Sequence, residues 1–357
     1  MRKIFAKPLN VLLLFVPIAI FAEIGHWNPV IIFLAAALAV VPLSGLLGDA
    51  TEELAGRTGP RIGALLNATL GNAAELIITI LALREGLYDL VRASITGSII
   101  GNLLLVAGAS LIVGGLKHGT QQFSRKDAGL NATLLILAAM VLVVPSLFSI
   151  AIEPARANID NISVITAGVI IVLYVLSLIF GFTAKHAESV TREAAHVPHM
   201  SMRAAIIILV VSTLFIAGMS EVLVSAVGPM VTQIGISELF VGVILVPIIG
   251  NVAEHVVAIE VAAKNKMDLS MGIAVGSSLQ IALFVAPLLV FISLLFGRTL
   301  DLEFTSFELI ALMASCFIAA HVSVDGETNW LEGVMLVGLY IIIAVAFFFV
   351  PFATAVH

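Results

Sequence analysis

Gly71-Asn72-Ala73-Ala74-Glu75-Leu76 returns 179 residues later as Gly250-Asn251-Val252-Ala253-Glu254-His255. The same register, extended without gaps, aligns Asp89-Leu90 with Asp268-Leu269 and Gly97-Ser98 with Gly276-Ser277. Over residues 71–107 against 250–286, twelve of 37 positions are identical. Apolar matches alone mean little in a chain that is 61% hydrophobic. Gly, Asn, Glu, Asp and Ser matching in one register mark an internal repeat.

The surroundings of the repeat define its solvent. Of 357 residues only 11% are charged, against about 25% in a soluble domain, too few to coat a globule of this size. A net charge of -6 with no basic stripe excludes a nucleic-acid binder. A single cysteine, Cys316, excludes a disulfide framework and a cysteine-based metal centre. A spanning helix needs about 20 mostly apolar residues. Eleven such runs lie near residues 8–22, 29–48, 61–84, 91–116, 129–150, 162–183, 203–227, 236–263, 269–297, 304–322 and 331–352. The sequence therefore predicts an all-α polytopic membrane protein with eleven transmembrane helices. A cleaved signal peptide is the competing reading of the first run, and the lack of a small-x-small cleavage site keeps it as a span.

Runs two to six and seven to eleven form two sets of five. An odd number of spans per set makes the second enter the membrane from the opposite side, an inverted repeat of the kind secondary transporters use. The expected organisation is an N-terminal transmembrane helix (1–28), a first five-helix repeat (29–183), a cytoplasmic linker (184–202) and a second five-helix repeat (203–357). With the N-terminus inside, thirteen Lys and Arg residues fall in inner segments and Arg84, Arg92, Arg156 and Arg298 in outer ones. That bias predicts a cytoplasmic N-terminus and an external C-terminus. The linker, with Lys185, Glu188, Arg192 and three histidines, reads as a solvated segment.

Ionisable side chains inside a span are costly and functional by default. Glu75 and Glu254 lie mid-span at repeat-equivalent positions, each three residues after a Gly-Asn pair. Gly71 and Gly250 are expected to break their helices, and Asn72 and Asn251 to supply amide oxygens there. The following span of each set adds Ser98 and Asn102, then Ser277 and Gln280, spaced to share a helix face. Two carboxylates, amides and hydroxyls make a hard, oxygen-only shell suited to calcium. One divalent cation or two protons would each neutralise the pair, so exchange of one for the other follows. His255 either tunes Glu254 or bonds a backbone carbonyl. Asp49, Glu52 and Glu53 with Arg57 and Arg61 read as a solvated loop, and Glu308 and Glu332 as interfacial.

The two motifs, with GSIIGN from Gly97, GSSLQIALFVAP from Gly276 and DGETNWLEG from Asp325, resemble the calcium/proton exchanger (cation exchanger) family of the calcium/cation antiporter superfamily. The resemblance runs from about residue 29 onward. It implies that Glu75 and Glu254 bind calcium and protons alternately, helped by Asn72 and Asn251, with Ser98, Asn102, Ser277 and Gln280 as supporting ligands. Asn102 aligns one position off Gln280. The resemblance implies calcium export from the cytosol by alternating access, calcium and protons as transported substrates with no cofactor, and a lipid bilayer as surroundings. Members often assemble as trimers, so the resemblance implies a homo-oligomer. The small size and short linker favour a prokaryotic plasma membrane. A sodium-coupled exchanger shares the architecture. A membrane-embedded metalloenzyme has only Glu254-His255 to start from, without an HExxH pattern. A passive channel is separated by testing for counterflow.

Overall fold

The computed structural model describes residues 8–152, 157–183 and 200–351. Residues 184–199 of the expected linker, with His186, His196 and His199, lie outside the described residues. The described chain is helical apart from short connections: α1 (Pro8–Ile24), α2 (Pro29–Thr58), α3 (Pro60–Leu70), α4 (Ala73–Arg84), α5 (Tyr88–His118), α6 (Arg125–Ala151), α7 (Ile159–Thr183), α8 (Met202–Ile234), α9 (Glu238–Ala262), α10 (Met267–Phe296), α11 (Ser306–Val322) and α12 (Trp330–Phe348). One two-residue antiparallel ladder, β1 (Gln121–Gln122) with β2 (Glu327–Thr328), joins two connections.

Among the described residues, eight helices are long and apolar enough to cross a membrane, and α1 and α11 are apolar but shorter. The run at 61–84, expected as one span, is two helices, α3 and α4, interrupted at Gly71 and Asn72. The acidic stretch after residue 48 is not a loop. α2 continues through it to Thr58, a rod of 30 residues and about 45 Å at 1.5 Å per residue. Glu53 lies inside, 1% exposed, and accepts from Arg57 Nη2 one turn later at 2.7 Å. That pairing, at helical spacing, supports the helix through this segment.

Helix starts follow local chemistry. Asn28 accepts the Val30 amide at 2.9 Å with Pro29 at the first helical position of α2. Thr305 and Glu308 form a capping box on α11, and Asn329 and Glu332 form another on α12. Ser237 caps α9.

The helices group into two compact units, and each takes residues from both sequence halves. The first comprises the described parts of Met1–Leu81, Val172–Ile234 and Ile249–Ala253. In it α2 and α8 pack lengthwise, with Leu46, Leu54, Met200 and Ala205 buried together and Leu66 against them. Arg57 also donates to the Met200 carbonyl.

The second unit, Ala82–Ile171, Gly235–Ile248 and Glu254–His357, packs α5 against α12 and α6 against α10 and α11. At Gly97, α5 meets the backbone of α9, where an added Cβ would stand 2.1 Å from the Val243 carbonyl oxygen. At one end of this unit the loop before α11 is threaded by serines. Ser146 donates to the Leu302 carbonyl at 3.1 Å and accepts the Phe304 amide at 2.9 Å, while Ser163 accepts the Leu302 amide at 2.9 Å. Side-chain hydroxyls thus satisfy the backbone of a buried loop, as burial requires. At the opposite end, segment 118–124, the α9–α10 turn and the α11–α12 connection meet.

The repeat is visible in the backbone of this unit. In the α4–α5 turn, Gly86 at φ +79° donates to the Leu83 carbonyl and Leu87 to that of Ala82, at 3.0 and 2.9 Å. In the α9–α10 turn, Asn265 at φ +60° donates to Ala262 and Lys266 to Val261, both at 3.0 Å. The two pairings of the second turn are those of the first displaced by 179 residues. The π-helical segments of α5 (Gly101–Val106) and α10 (Ile281–Val285) also fall at matching places.

Candidate cation site

The sequence-predicted residues divide between the two units. In the first, Asn72, Glu75 and Asn251 are all buried. Asn72 follows the helix interruption, and its carbonyl accepts the Leu76 amide at 2.9 Å to start α4. Glu75 therefore sits in the first turn of α4. A helix N-terminus carries partial positive charge, so a carboxylate there is favoured without a cation. Thr79 donates to the Glu75 carbonyl at 2.7 Å. The second motif comes to this carboxylate-bearing residue from its backbone side. A Cβ on Gly250 would lie 3.6 Å from the Glu75 Cβ and 3.7 Å from its Cα. The two motifs, far apart in sequence, thus touch inside one unit.

Gly250 does not break its helix. α9 runs α-helical from Val246 to Ala262 through the whole motif, and its irregularity is a π-helical segment upstream, Val241–Leu245. Gly250 gives close approach to Glu75 instead. Because the helix is unbroken, Gly250 and Glu254, four residues apart, share one face.

In the second unit Glu254 is partly buried, and its Oε2 accepts from the Ser277 hydroxyl at 2.7 Å. This joins α9 to α10 at the position the repeat singles out. His255 Nε2 lies 3.2 Å from Asn102 Oδ1, so the histidine faces an amide and not a backbone carbonyl. Asn102 Nδ2 is buried without a hydrogen-bond partner among the described residues. Turning the amide over hands an N–H to His255 in its other tautomer and moves the oxygen to where Nδ2 now lies. Asn102 can thus offer an oxygen while keeping its histidine contact.

Ser98 and Ser277 are buried on their helices and Gln280 is partly buried. Asn102 is the second residue of the α5 π segment, and Gln280 immediately precedes that of α10. A π segment widens the helix by one residue per turn, and such segments recur at functional sites. The polar pair on each helix lies at such a distortion.

Two acidic side chains were placed too far outside by sequence reasoning. Glu53 is described above. Glu308 is 2% exposed, accepting from the Thr305 amide and hydroxyl at 2.9 and 2.8 Å and from the Thr96 hydroxyl at 3.0 Å. The Thr-x-x-Glu spacing was the available signal. Glu260, 3.7 Å from Lys264, is exposed at its helix end.

A helical membrane protein with paired acidic motifs at two contacting helices is built as a secondary transporter is built. The family model described as sodium/calcium exchanger protein matches residues 28–183 and 204–349, and the chain belongs to this family, on its calcium/proton antiporter branch. It is 44% identical to a Ca(2+)/H(+) antiporter of Aphanothece halophytica, over 95% of this chain and 96% of that protein. It is also 44% identical to the Ca(2+)/H(+) antiporter ChaA of Bacillus subtilis, over 93% and 96%. The solved structure of native YfkE matches with a TM-score of 0.83 at 42% identity, covering 95% of this chain and 99% of that one. The H+/Ca2+ exchanger CAX shares the fold at 16% identity, with a TM-score of 0.74 over 95% and 91% of the two chains.

Proposed function

We infer that the protein is a secondary active antiporter that exports calcium from the cytosol in exchange for protons. The observation that carries this reading is the contact of Glu75 with Gly250, one helical turn before Glu254, in a chain whose relatives are calcium/proton antiporters. Glu75 and Glu254 are the groups that take calcium or protons in turn. Asn72, Asn251, Ser98, Ser277, Asn102 and Gln280 supply further oxygens, and His255 holds the Asn102 amide.

Electrostatics gives the coupling. Two carboxylates sharing one site repel each other, and they do so more strongly in a low-dielectric interior than in water. Desolvation adds to the cost of the doubly charged empty site. One calcium ion or two protons removes the net charge of the pair. A neutralised site passes between its two access states readily and the dianion does not, so the ions exchange and do not leak.

The membrane is a prokaryotic plasma membrane, with the N-terminus cytoplasmic and the C-terminus external. Each half of the chain is one five-helix repeat of opposite orientation. Calcium-45 uptake into proteoliposomes under an imposed pH gradient tests the reading. Uptake driven by the pH gradient and abolished by dissipating it is the expected result. Uptake driven by a sodium gradient without a pH gradient, or calcium conductance without counterflow, would overturn it.

A further inference from the structure

Two turns carry the hairpins that bear the candidate ligands. The α4–α5 turn leads into Ser98 and Asn102. The α9–α10 turn follows Glu254 and precedes Ser277 and Gln280. Both turns lie in the second compact unit, and each is grasped by a segment from the other half of the sequence.

The α9–α10 turn is held by residues 118–124. Gln121 is 2% exposed, and its Nε2 donates to Asn265 Oδ1 at 2.8 Å and to the Ala262 carbonyl at 3.4 Å. His118 Nε2 lies 3.0 Å from the Ala263 carbonyl, and the Ser124 amide donates to Asp268. The start of α5 is held by residues 298–301. Arg92 is paired with Asp301 and with Asp89, and the Arg298 guanidinium lies 4.4 Å from the centroid of the Tyr88 ring. Displaced by 179, residues 118–124 become 297–303, and the turn residues 86–89 become 265–268. Each grasping segment is therefore the repeat equivalent of the other, and so is each turn it grasps.

We propose that Gln121 and Arg92 are positioning residues for the cation site, Gln121 reaching its ligand-bearing hairpin from the opposite half of the repeat and Arg92 tying its own hairpin to Asp301 of the opposite half. The inference rests on the calcium/proton reading above. Neither side chain is among the candidate ligands. Gln121 sets the C-terminal end of α9 and the start of α10, and thereby the Glu254–Ser277 pair. Arg92 sets the start of α5, and thereby Ser98 and Asn102. The two ties differ in chemistry. The Gln121 tie is made of amides and carbonyls, whereas the Arg92 tie is ionic and only partly exposed, with Arg92 at 15% and Asp301 at 20%. A pair so sheltered is screened by salt less than one in open solution.

The test is the half-saturating calcium concentration for proton-driven uptake in proteoliposomes. This quantity belongs to each folded transporter and does not change when fewer molecules fold, so a merely structural role leaves it unmoved. Arg92→Gln and Gln121→Glu, which keeps size but loses the donor, are each expected to raise it about tenfold, as loss of a group orienting a metal ligand does. Exchanging the charges, Arg92→Asp with Asp301→Arg, is expected to return it toward the wild-type value. Should Arg92→Gln not fold, Arg92→Lys carries the same expectation, because lysine lacks the planar fork whose two terminal nitrogens reach Asp301 and Asp89 separately. Unchanged half-saturation in the variants beside normal wild-type flux overturns this inference alone. Absence of proton-driven calcium flux in the wild type overturns the functional reading and this inference with it.

Discussion

The first motif lies where a helix stops and restarts. α3 ends at Leu70, Gly71 and Asn72 make the turn, and α4 begins at Ala73 with Glu75 in its first turn. The second motif lies in the body of α9, whose π-helical segment ends at Leu245, five residues before Gly250. The residues upstream also differ. Before Gly71, Thr69 donates to the carbonyls of Leu65 and Leu66 at 2.9 and 3.2 Å. Before Gly250 stands Pro247, which lacks an amide and crowds the preceding turn. The π segment two residues upstream of that proline absorbs the misfit, and the helix runs on. In α10, Pro287 likewise follows the π segment Ile281–Val285 by two residues. Equivalent polar residues are thus mounted on inequivalent backbones, and the half with the broken helix gains a helix N-terminus for its carboxylate.

The largest effects should ignore that asymmetry. Glu75→Gln and Glu254→Gln should each reduce proton-driven calcium-45 uptake to background, because an amide neither releases a proton nor neutralises the cation. If one variant keeps substantial uptake, the two motifs are not equal partners.

The next test sets Gly97 against its repeat equivalent Gly276. A Cβ at 97 would meet the Val243 backbone at 2.1–2.6 Å, whereas one at 276 meets nothing within 4 Å. Gly97→Ala should destabilise the protein by about 1–3 kcal/mol, the usual cost of overpacking, seen as a lower melting temperature in detergent. Gly276→Ala should be neutral or stabilising by up to about 1 kcal/mol through helix propensity. Equal melting temperatures would show that α5 and α9 are not in close contact at this point.

A smaller and purely functional difference is expected at the motif glycines. Alanine favours helix over glycine by about 1 kcal/mol. At Gly71 that preference works to close the interruption and should lower the uptake rate several-fold. At Gly250 it reinforces a helix already continuous, and the added methyl makes ordinary contact with Glu75. Gly250→Ala should keep most of the rate. The reverse order of activities would place the functional break in α9.

What the sequence made legible follows from which interactions are local. Eight of the eleven expected spans are matched by helices long and apolar enough to cross among the described residues, readable because the bilayer demands apolar length. The repeat was readable because polar matches in one register are rare in apolar sequence. Position along a helix was not. Glu53 and Glu308 read as peripheral, yet both are buried, Glu53 beside Arg57 one turn on in its own helix and Glu308 under Thr96, a partner that only packing supplies. The single run at 61–84 is split at Gly71 and Asn72, an interruption that hydropathy does not register. The helix break expected at Gly250 is absent, and the distortion of α9 lies upstream, beside Pro247.

The subtlest difference between the halves is at the turns. Gly86 and Asn265 occupy the same left-handed position, at φ +79° and +60°. Glycine adopts this conformation freely, and asparagine tolerates it better than other side chains. Gly86→Asn should therefore cost about 1 kcal/mol or less. Asn265→Gly is not its mirror image, because Asn265 Oδ1 also accepts from Gln121. Relief of the backbone offsets about 1 kcal/mol, and the lost hydrogen bond leaves the buried Gln121 amide short of an acceptor at a cost of about 1–3 kcal/mol. The net should be a small destabilisation at 265 and near neutrality at 86, read as melting temperatures of the two single variants. If Asn265→Gly were the more stable, the turn geometry would dominate and the Gln121 contact would contribute little.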